Sequence, residues 1–313
     1  MSLPVKRGSA CDLVLALDWE YDWDFVRLIE SFAREMGLAT MVVCHLNVGE
    51  ALRSLRRDEL RSRVLFDRAS GATPDFLSFQ ALALEREWDV IEPVGKLRWA
   101  SDKATMHLEL IARGLHTPYT IILPAYETER ELPIEDGDLA PLGTPFVIKP
   151  ANTTGGSVGV VPDARGLDDA RKARRLYPRD KYLLQERIVP EERDGRRFWF
   201  RGFYVLGDIF CAWWDDLTHL YAELPPEEVG HYGLAPLFAV VRAVADISGL
   251  RFFSTEIARD AEGRFLIVDY VNENCDMRLQ SLAGDGVPDA IVRRVARRIA
   301  AYTFETIYGR GSA

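Results

Sequence analysis

Three groups of residues have the types and spacing to do chemistry. The first is Lys149, closing the apolar run Phe146-Val147-Ile148, with the loop Ala151-Asn152-Thr153-Thr154-Gly155-Gly156-Ser157 just beyond it. Glycines let backbone N–H groups approach a phosphate, hydroxyls add donors and the lysine supplies a point charge. A flexible hairpin loop would carry the same residues. The pattern is not a G-x-x-x-x-G-K-[ST] loop, because the lysine precedes the glycines and extended segments flank them.

The second group is a pair of acids. Segments 252–259 and 264–271 read as a hairpin turning at Glu262-Gly263, which sets Ala261 opposite Arg264 and, counted outward, Glu256 opposite Asp269. Side chains so opposed have Cβ atoms about 4.5–5.5 Å apart, where like charges repel. A divalent cation is the simplest relief, and Mg2+ favours a couple of carboxylates plus substrate phosphates. The alternative is an exposed face where the acids are solvated or pair with Arg259 or Arg264. Either Asn272 or Asn274 could add an amide oxygen. In a regular strand Asn272 is out of phase with Asp269, so its participation requires the strand to end or bulge near Tyr270. The third group is Gln185-Glu186 inside the apolar strand Tyr182 to Ile188, a pattern that suits a planar base and equally an ordinary edge strand.

Stepping outward from these residues, short β-rich runs at 11–18, 39–46, 63–67 and 90–91 alternate with helical spacing, which predicts a parallel α/β sheet over residues 1–95. Phe25, Leu28, Ile29 and Phe32 mark one helix face. The first turn, Asp18-Trp19-Glu20-Tyr21-Asp22, is acidic and has no G-x-G-x-x-G, which argues against a dinucleotide there. Strand carboxyl ends nominate Asp18, Glu20, Asn47, Asp67 and Arg68 as acceptor contacts. Beyond residue 96, Ser101 is placed to cap a helix running to about Arg113, with Gly114 after it. Strands are expected at 146–149, 158–161, 182–188, 197–206 and 209–214, the last two joined at Gly207-Asp208. Helices are expected at 167–176, 234–247 and 288–306.

Composition narrows the classes. Lys plus Arg at 39 against Asp plus Glu at 48 gives a net charge of −9 over 313 residues, the opposite of a phosphate-tracking nucleic-acid binder. The longest apolar runs, Leu13–Leu17 and Leu234–Val241, fall short of the roughly 20 residues of a membrane span. Met1–Gly8 has no apolar segment of signal-peptide length, so a cytoplasmic location is expected. Cys11, Cys44, Cys211 and Cys275 form no C-x-x-C and read as reduced, buried thiols. The five histidines form no i, i+4 metal pair. Arg293, Arg294, Arg297 and Arg298 read as a solvated helix face or a docking patch for an acidic partner.

Taken in order, the motifs resemble the ATP-grasp family over roughly residues 96–280. They are Ser101-Asp102-Lys103 opening a helix, Lys149-Pro150 with its small-residue loop, Leu184-Gln185-Glu186, an arginine-bearing strand (Arg201), Phe252-Phe253 leading to Glu256, and the acidic strand from Asp269 to Asn272. The resemblance implies an α/β protein of α+β ATP-grasp type: an N-terminal parallel domain (1–95) followed by two subdomains (96–180 and 181–313) that clasp ATP. It implies that Lys103 and Lys149 contact phosphates, and that Thr153, Thr154, Gly155, Gly156 and Ser157 close over them. Gln185, Glu186 and Ile188 would border the adenine, with Glu191 or Glu192 near the ribose. Arg201 and Arg278 would meet the γ-phosphate, and Glu256, Asp269 and Asn272 would hold Mg2+, with Mn2+ as a substitute. The implied activity is ligation of a small-molecule or peptide carboxylate to an amine through an acyl phosphate, with no nucleic-acid or membrane partner and compatibly with a homodimer. A kinase acting on a small-molecule hydroxyl, or a nucleotide-binding protein without turnover, are the alternatives. The usual acid-x-Asn ending is here Asp269-Tyr270-Val271-Asn272, one residue longer.

Overall fold

The structure is a computed structural model that describes residues 9–71, 73–153 and 158–309. Thr154, Gly155, Gly156 and Ser157 of the expected phosphate loop lie outside the described residues. The leading runs form a parallel sheet of β1 (Leu13–Ala16), β2 (Thr40–Val43), β3 (Val64–Asp67) and β4 (Asp89–Ile91), in the order β2-β1-β3-β4. Helices α1 (Trp23–Glu35), α2 (Val48–Arg56) and α3 (Pro74–Glu85) alternate with the strands. β1 is buried along its whole length, which is why its sequence is continuously apolar rather than alternating.

Two helices follow where one was expected. Ser101 ends α4 (Val94–Ser101), its hydroxyl bonded to the Leu97 carbonyl. The cap of α5 (Lys103–Ala112) is the next residue, Asp102, whose carboxylate accepts the Thr105 N–H at 2.9 Å. Aspartate is as good a cap as serine, so adjacent candidates leave the start ambiguous by one residue.

The second sheet is antiparallel: β5 (Thr120–Leu123), β6 (Phe146–Pro150), β7 (Val161–Ala164) and β8 (Tyr182–Glu186), in the order β5-β8-β6-β7, with α6 (Leu167–Leu176) alongside. β7 starts three residues later than expected because residues 158–159 form a turn in which Gly159 takes φ 74°. A domain boundary at residue 180 would cut this sheet, since β8 hydrogen-bonds between β5 and β6. Likewise α5 packs into a core that joins the third sheet to Leu183 and Ile122 of this one. By pairing, the unit runs from Thr120 to Glu186.

The third sheet contains β9 (Trp199–Val205), β10 (Asp208–Trp214), β11 (Tyr221–Glu223), β12 (Phe252–Arg259) and β13 (Phe265–Asn272), ordered β11-β10-β9-β12-β13. Helices α7 (Pro226–His231) and α8 (Ala235–Ser248) precede β12, and α9 (Asp289–Tyr308) ends the described chain. The β9–β10 turn is Leu206-Gly207, one residue earlier than read from sequence: Val205 pairs with Asp208, and both turn residues have positive φ, 50° and 101°. Leucine tolerates that conformation poorly. Its place is fixed by a Leu206 N–H bond to the Arg251 carbonyl and by Arg298 donating to the Leu206 carbonyl.

One face of the third sheet packs with α8 and α5 through Phe200, Trp213, Phe253 and Ile257. The other face, with Phe203, Phe210 and Phe252, joins the parallel sheet and α9 in one core; the Phe66 and Phe252 rings meet edge-on at 5.1 Å. α8 lies so close to β9 that a Cβ on Gly202 would stand 2.4 Å from Val241 Cγ2. Gly202→Ala is therefore expected to destabilise the fold by about 1–3 kcal/mol through overpacking, read as a lower urea midpoint; an unchanged midpoint would show that α8 can move away.

On α9, Arg293, Arg294 and Arg297 are exposed, as a solvated helix face requires, and Arg298 is half-buried. Arg294 lies over Phe210, Arg297 over Phe32, and Arg298 bonds Leu206 and Glu305. No described helix is long and apolar enough to cross a membrane. All four cysteines are free and buried.

Candidate active site

Three strands of the third sheet, β9, β12 and β13, each contribute one charged residue. Phe203 and Phe252 bury against the parallel sheet, and two to four residues along the same face come Arg201 and Glu256. β9 pairs Arg201 with Glu256, and β12 pairs Glu256 with Asp269, so three charged groups lie in a row across the sheet. The expected Glu256–Asp269 pairing is present, reached by a different route. The turn is longer than a two-residue one, with Arg259 opposite Phe265, and an extra residue at Val268 restores the alignment. A second irregularity follows, placing Asn272 opposite Ser254. Ser254 and Glu256 share a face, so Asn272 and Asp269 share it too.

The like-charge repulsion of the acids is met by cations. Arg201 Nη2 lies 2.6 Å from Glu256 Oε1, and Lys103 Nζ lies 3.4 Å from Asp269 Oδ1. Arg259 and Arg264 are engaged elsewhere, with Glu191 and Asp260. Burial would raise the Asp269 carboxyl, but Lys103, Lys149 and Arg201 outweigh it and hold the pKa below the usual carboxylate value. Lys149 reaches from the second sheet to the Val268 carbonyl at 2.9 Å. Its pKa falls to about 8, chiefly because the ammonium is buried and also because Lys103 is near, against the opposing pull of Asp269 and Glu256.

Arg201, Lys103 and Lys149 thus face Glu256 and Asp269, with the Glu273 carboxyl, its pKa raised chiefly by burial, also near Lys103 and Asp269. Arg201 is 7% exposed, yet its Nε and Nη1 have no hydrogen-bond partner. Buried unpaired donors on a guanidinium are costly, and an anion placed there would satisfy them. Arg201, Asn272 and Arg278 all line one cavity of about 200 Å³, walled by Trp214, His219 and Tyr221. Arg278 itself is held by Asp276 and Asp285. A larger cavity of about 560 Å³ lies on the second sheet's unit at the root of the 154–157 loop and includes Thr153. None of the lysines or carboxylates above lines it.

Along β8 the side chains are partly committed. Gln185 is 2% exposed and donates to Thr120 Oγ1 at 3.1 Å and to the Tyr270 hydroxyl at 2.9 Å. Glu186 Oε1 accepts the Tyr119 N–H at 2.7 Å, and Glu191 Oε2 accepts from Arg259 Nε at 2.7 Å. Glu192 pairs with Arg197. Ile188 is half-buried just past the strand end, and Asn274 is exposed.

Of the acceptor contacts nominated in the first unit, three are structural. Asn47 bonds Cys44 N and the Val42 carbonyl, Asp67 is held by Ser70 and Gln80, and Arg68 makes a bidentate pair with Asp22 at 2.8 Å. Asp18, 3.8 Å from His45, and exposed Glu20 keep open positions.

Sequence reasoning missed Asp180, His107 and Tyr270. Asp180 is buried and accepts the backbone N–H groups of Asn152 and Thr153 at 2.9 and 2.7 Å, fixing the loop root. An acid immediately before an apolar strand was the available signal. His107 and Tyr270 bond each other at 2.7 Å, and nothing in their spacing announces it.

Comparison with known proteins bears on the fold. No family model and no curated protein sequence matches the chain. Solved structures do: a RimK-domain ATP-grasp protein from Sphaerobacter thermophilus (18% identity, TM-score 0.60, covering 93% of this chain and 99% of that one), and D-alanine–D-alanine ligase from Bacillus anthracis, complexed with ATP (12%, 0.64, 96% and 99%). The ATP-grasp ligase PsnB, complexed with a minimal precursor, Mg and ADP, is similar at 12% identity and TM-score 0.58, over 92% of this chain and 98% of that one. The chain has the ATP-grasp fold.

Proposed function

We propose that this protein is an ATP- and Mg2+-dependent carboxylate–amine ligase of the cytoplasm, working through an acyl phosphate. The observation that carries this reading is the row of buried Arg201 and half-buried Glu256 and Asp269, flanked by Lys103 and Lys149, with two Arg201 donors unsatisfied. The solved ATP-grasp structures with ATP, or with Mg and ADP, support it. Lys103 and Arg201 would turn from the carboxylates, and Lys149 from the Val268 carbonyl, to phosphate oxygens, leaving Glu256, Asp269 and Asn272 to hold Mg2+, which neutralises phosphate charge. Two carboxylates and an amide on one face suit that ion. Thr153 and the loop to Ser157 would cover the phosphates, and Arg278 would face the γ-phosphate across the cavity. The adenine would meet the chain at Glu186 to Ile188, with Glu191 toward the ribose; Gln185 would act from behind, because its amide is already bonded. No nucleophile is required of the protein: positioning and charge neutralisation drive attack of the acceptor amine on the activated carboxyl, a small molecule or a peptide.

Incubation with Mg2+-ATP and panels of acids and amines tests the reading. Amide plus phosphate supports it, a stable phosphorylated hydroxyl product replaces it with a kinase, and nucleotide binding without turnover replaces it with a binding protein. Lys149 gives a sharper expectation. The ammonium is charged below about 8 and discharges above, so ATP affinity of wild-type protein should fall as pH rises through that value. Lys149→Ala should bind ATP about 10–100-fold more weakly and lose that pH step. Equal affinity for the variant at pH 7, measured by calorimetry, would remove Lys149 from the phosphate site.

A further inference from the structure

Ser254 and Glu256 are two residues apart on β12, but their partners Asn272 and Asp269 are three apart on β13. The two residues inside that step, Tyr270 and Val271, both turn into the same apolar core and are 0% and 2% exposed. A regular strand would send one of them to each face. The bulge thus absorbs the residue by which Asp269-Tyr270-Val271-Asn272 exceeds an acid-x-Asn ending, and it keeps Asn272 on the face of Asp269. A bulged register needs holding, because a slip of one residue moves every following side chain to the other face.

Val271 is held by packing alone. Tyr270 is held at a point: its hydroxyl lies 2.7 Å from His107 Nδ1 and accepts from Gln185 Nε2 at 2.9 Å. The Gln185 amide also donates to Thr120 Oγ1. These partners come from α5, β8 and β5, three elements outside the third sheet. The tyrosine is therefore clamped from outside its own sheet, where strand pairing cannot relax it.

We infer that Tyr270 is a positioning residue whose hydroxyl, fixed between His107 and Gln185, holds the β13 bulge that sets Asn272 beside Asp269 and thereby tunes metal affinity. The inference rests on the reading of Glu256, Asp269 and Asn272 as the Mg2+ site. Tyr270→Phe keeps the buried ring and removes only the clamp.

Calorimetric binding of ADP, with Mg2+ and with a chelator, tests it. Wild-type protein should bind ADP more tightly with Mg2+. In Tyr270→Phe that Mg2+-dependent gain should shrink about tenfold, as for loss of a residue that orients a metal ligand, while affinity in chelator stays unchanged. His107→Asn, which loosens the clamp but leaves Tyr270 in place, should shift the gain in the same direction and keeps the question open to test should Tyr270→Phe fail to fold. A hydroxyl that only stabilised the fold would lower the melting temperature and both affinities together. That pattern, or an undiminished gain in the folded variants, would overturn the inference. Wild-type ADP binding that ignored Mg2+ would instead overturn the Mg2+ reading of the site.

Discussion

Asp269→Asn is expected to reduce ATP-dependent product formation by about 10²–10³-fold even at saturating Mg2+, the scale on which fixed transition-state charge stabilisation is lost. The substitution is nearly isosteric, so the effect is electrostatic. Asp269 sits among Lys103, Lys149 and Arg201, with Glu256 and Glu273 as other nearby acids. Removing its charge leaves those cations short of a counter-charge, and the proposed Mg2+ site would lose a carboxylate ligand. Lys103 also loses its ion pair with Asp269, a half-buried carboxylate 3.4 Å away, so the variant should melt lower. Anionic ATP should restore part of that stability, because it supplies the missing counter-charge. The comparison is made by steady-state phosphate release across a Mg2+ titration, with melting curves in parallel. Wild-type activity at limiting Mg2+ would remove Asp269 from the metal site.

Arg201→Lys is the second large effect. The substitution keeps the positive charge opposite Glu256, so the fold should survive, yet it removes the planar fork whose Nε and Nη1 are buried and unpartnered. If those donors wait for the phosphoryl group in transit, kcat should fall by about 10³-fold, the lower range seen when an arginine serving a transferring phosphoryl group is lost. KM for ATP should move little. A raised KM with unchanged kcat would mean that Arg201 holds ground-state phosphate only. A lysine cannot reproduce bidentate geometry, which makes this variant more informative than alanine.

Much of the architecture was legible because it is periodic. Continuous apolar runs separated by amphipathic helices announced the parallel sheet, and α6 falls on its expected span of 167–176. What sequence could not supply was where strands break register. The Glu256–Asp269 opposition was derived from a turn that is not the one formed, and it holds only because a bulge at Val268 compensates. A bulge has no period, so no count along the chain finds it. The repulsion argument for a cation was similarly incomplete, since Arg201 and Lys103 sit on other elements and their approach is a property of the fold. Gln185 shows the same limit: its polarity was visible, but its bonds to Thr120 and Tyr270 are tertiary.

The distribution of the apolar cores bears on how the molecule comes apart. One core draws only on residues between Ile121 and Leu184, entirely within the unit of the second sheet. Another joins residues from Leu13 to Ile91 with residues from Phe203 to Ile299, so the two ends of the chain share their interior. The first and third sheets therefore share one cooperative block, whereas the second has a core of its own and joins the third through Leu183, Ala151 and Ile122. Amide protons on β7, an edge strand of the second sheet, should exchange sooner than those on β1 and β12. Lys149 already reaches the Asp269 strand through the Val268 carbonyl, and nucleotide bound between them would tighten that junction.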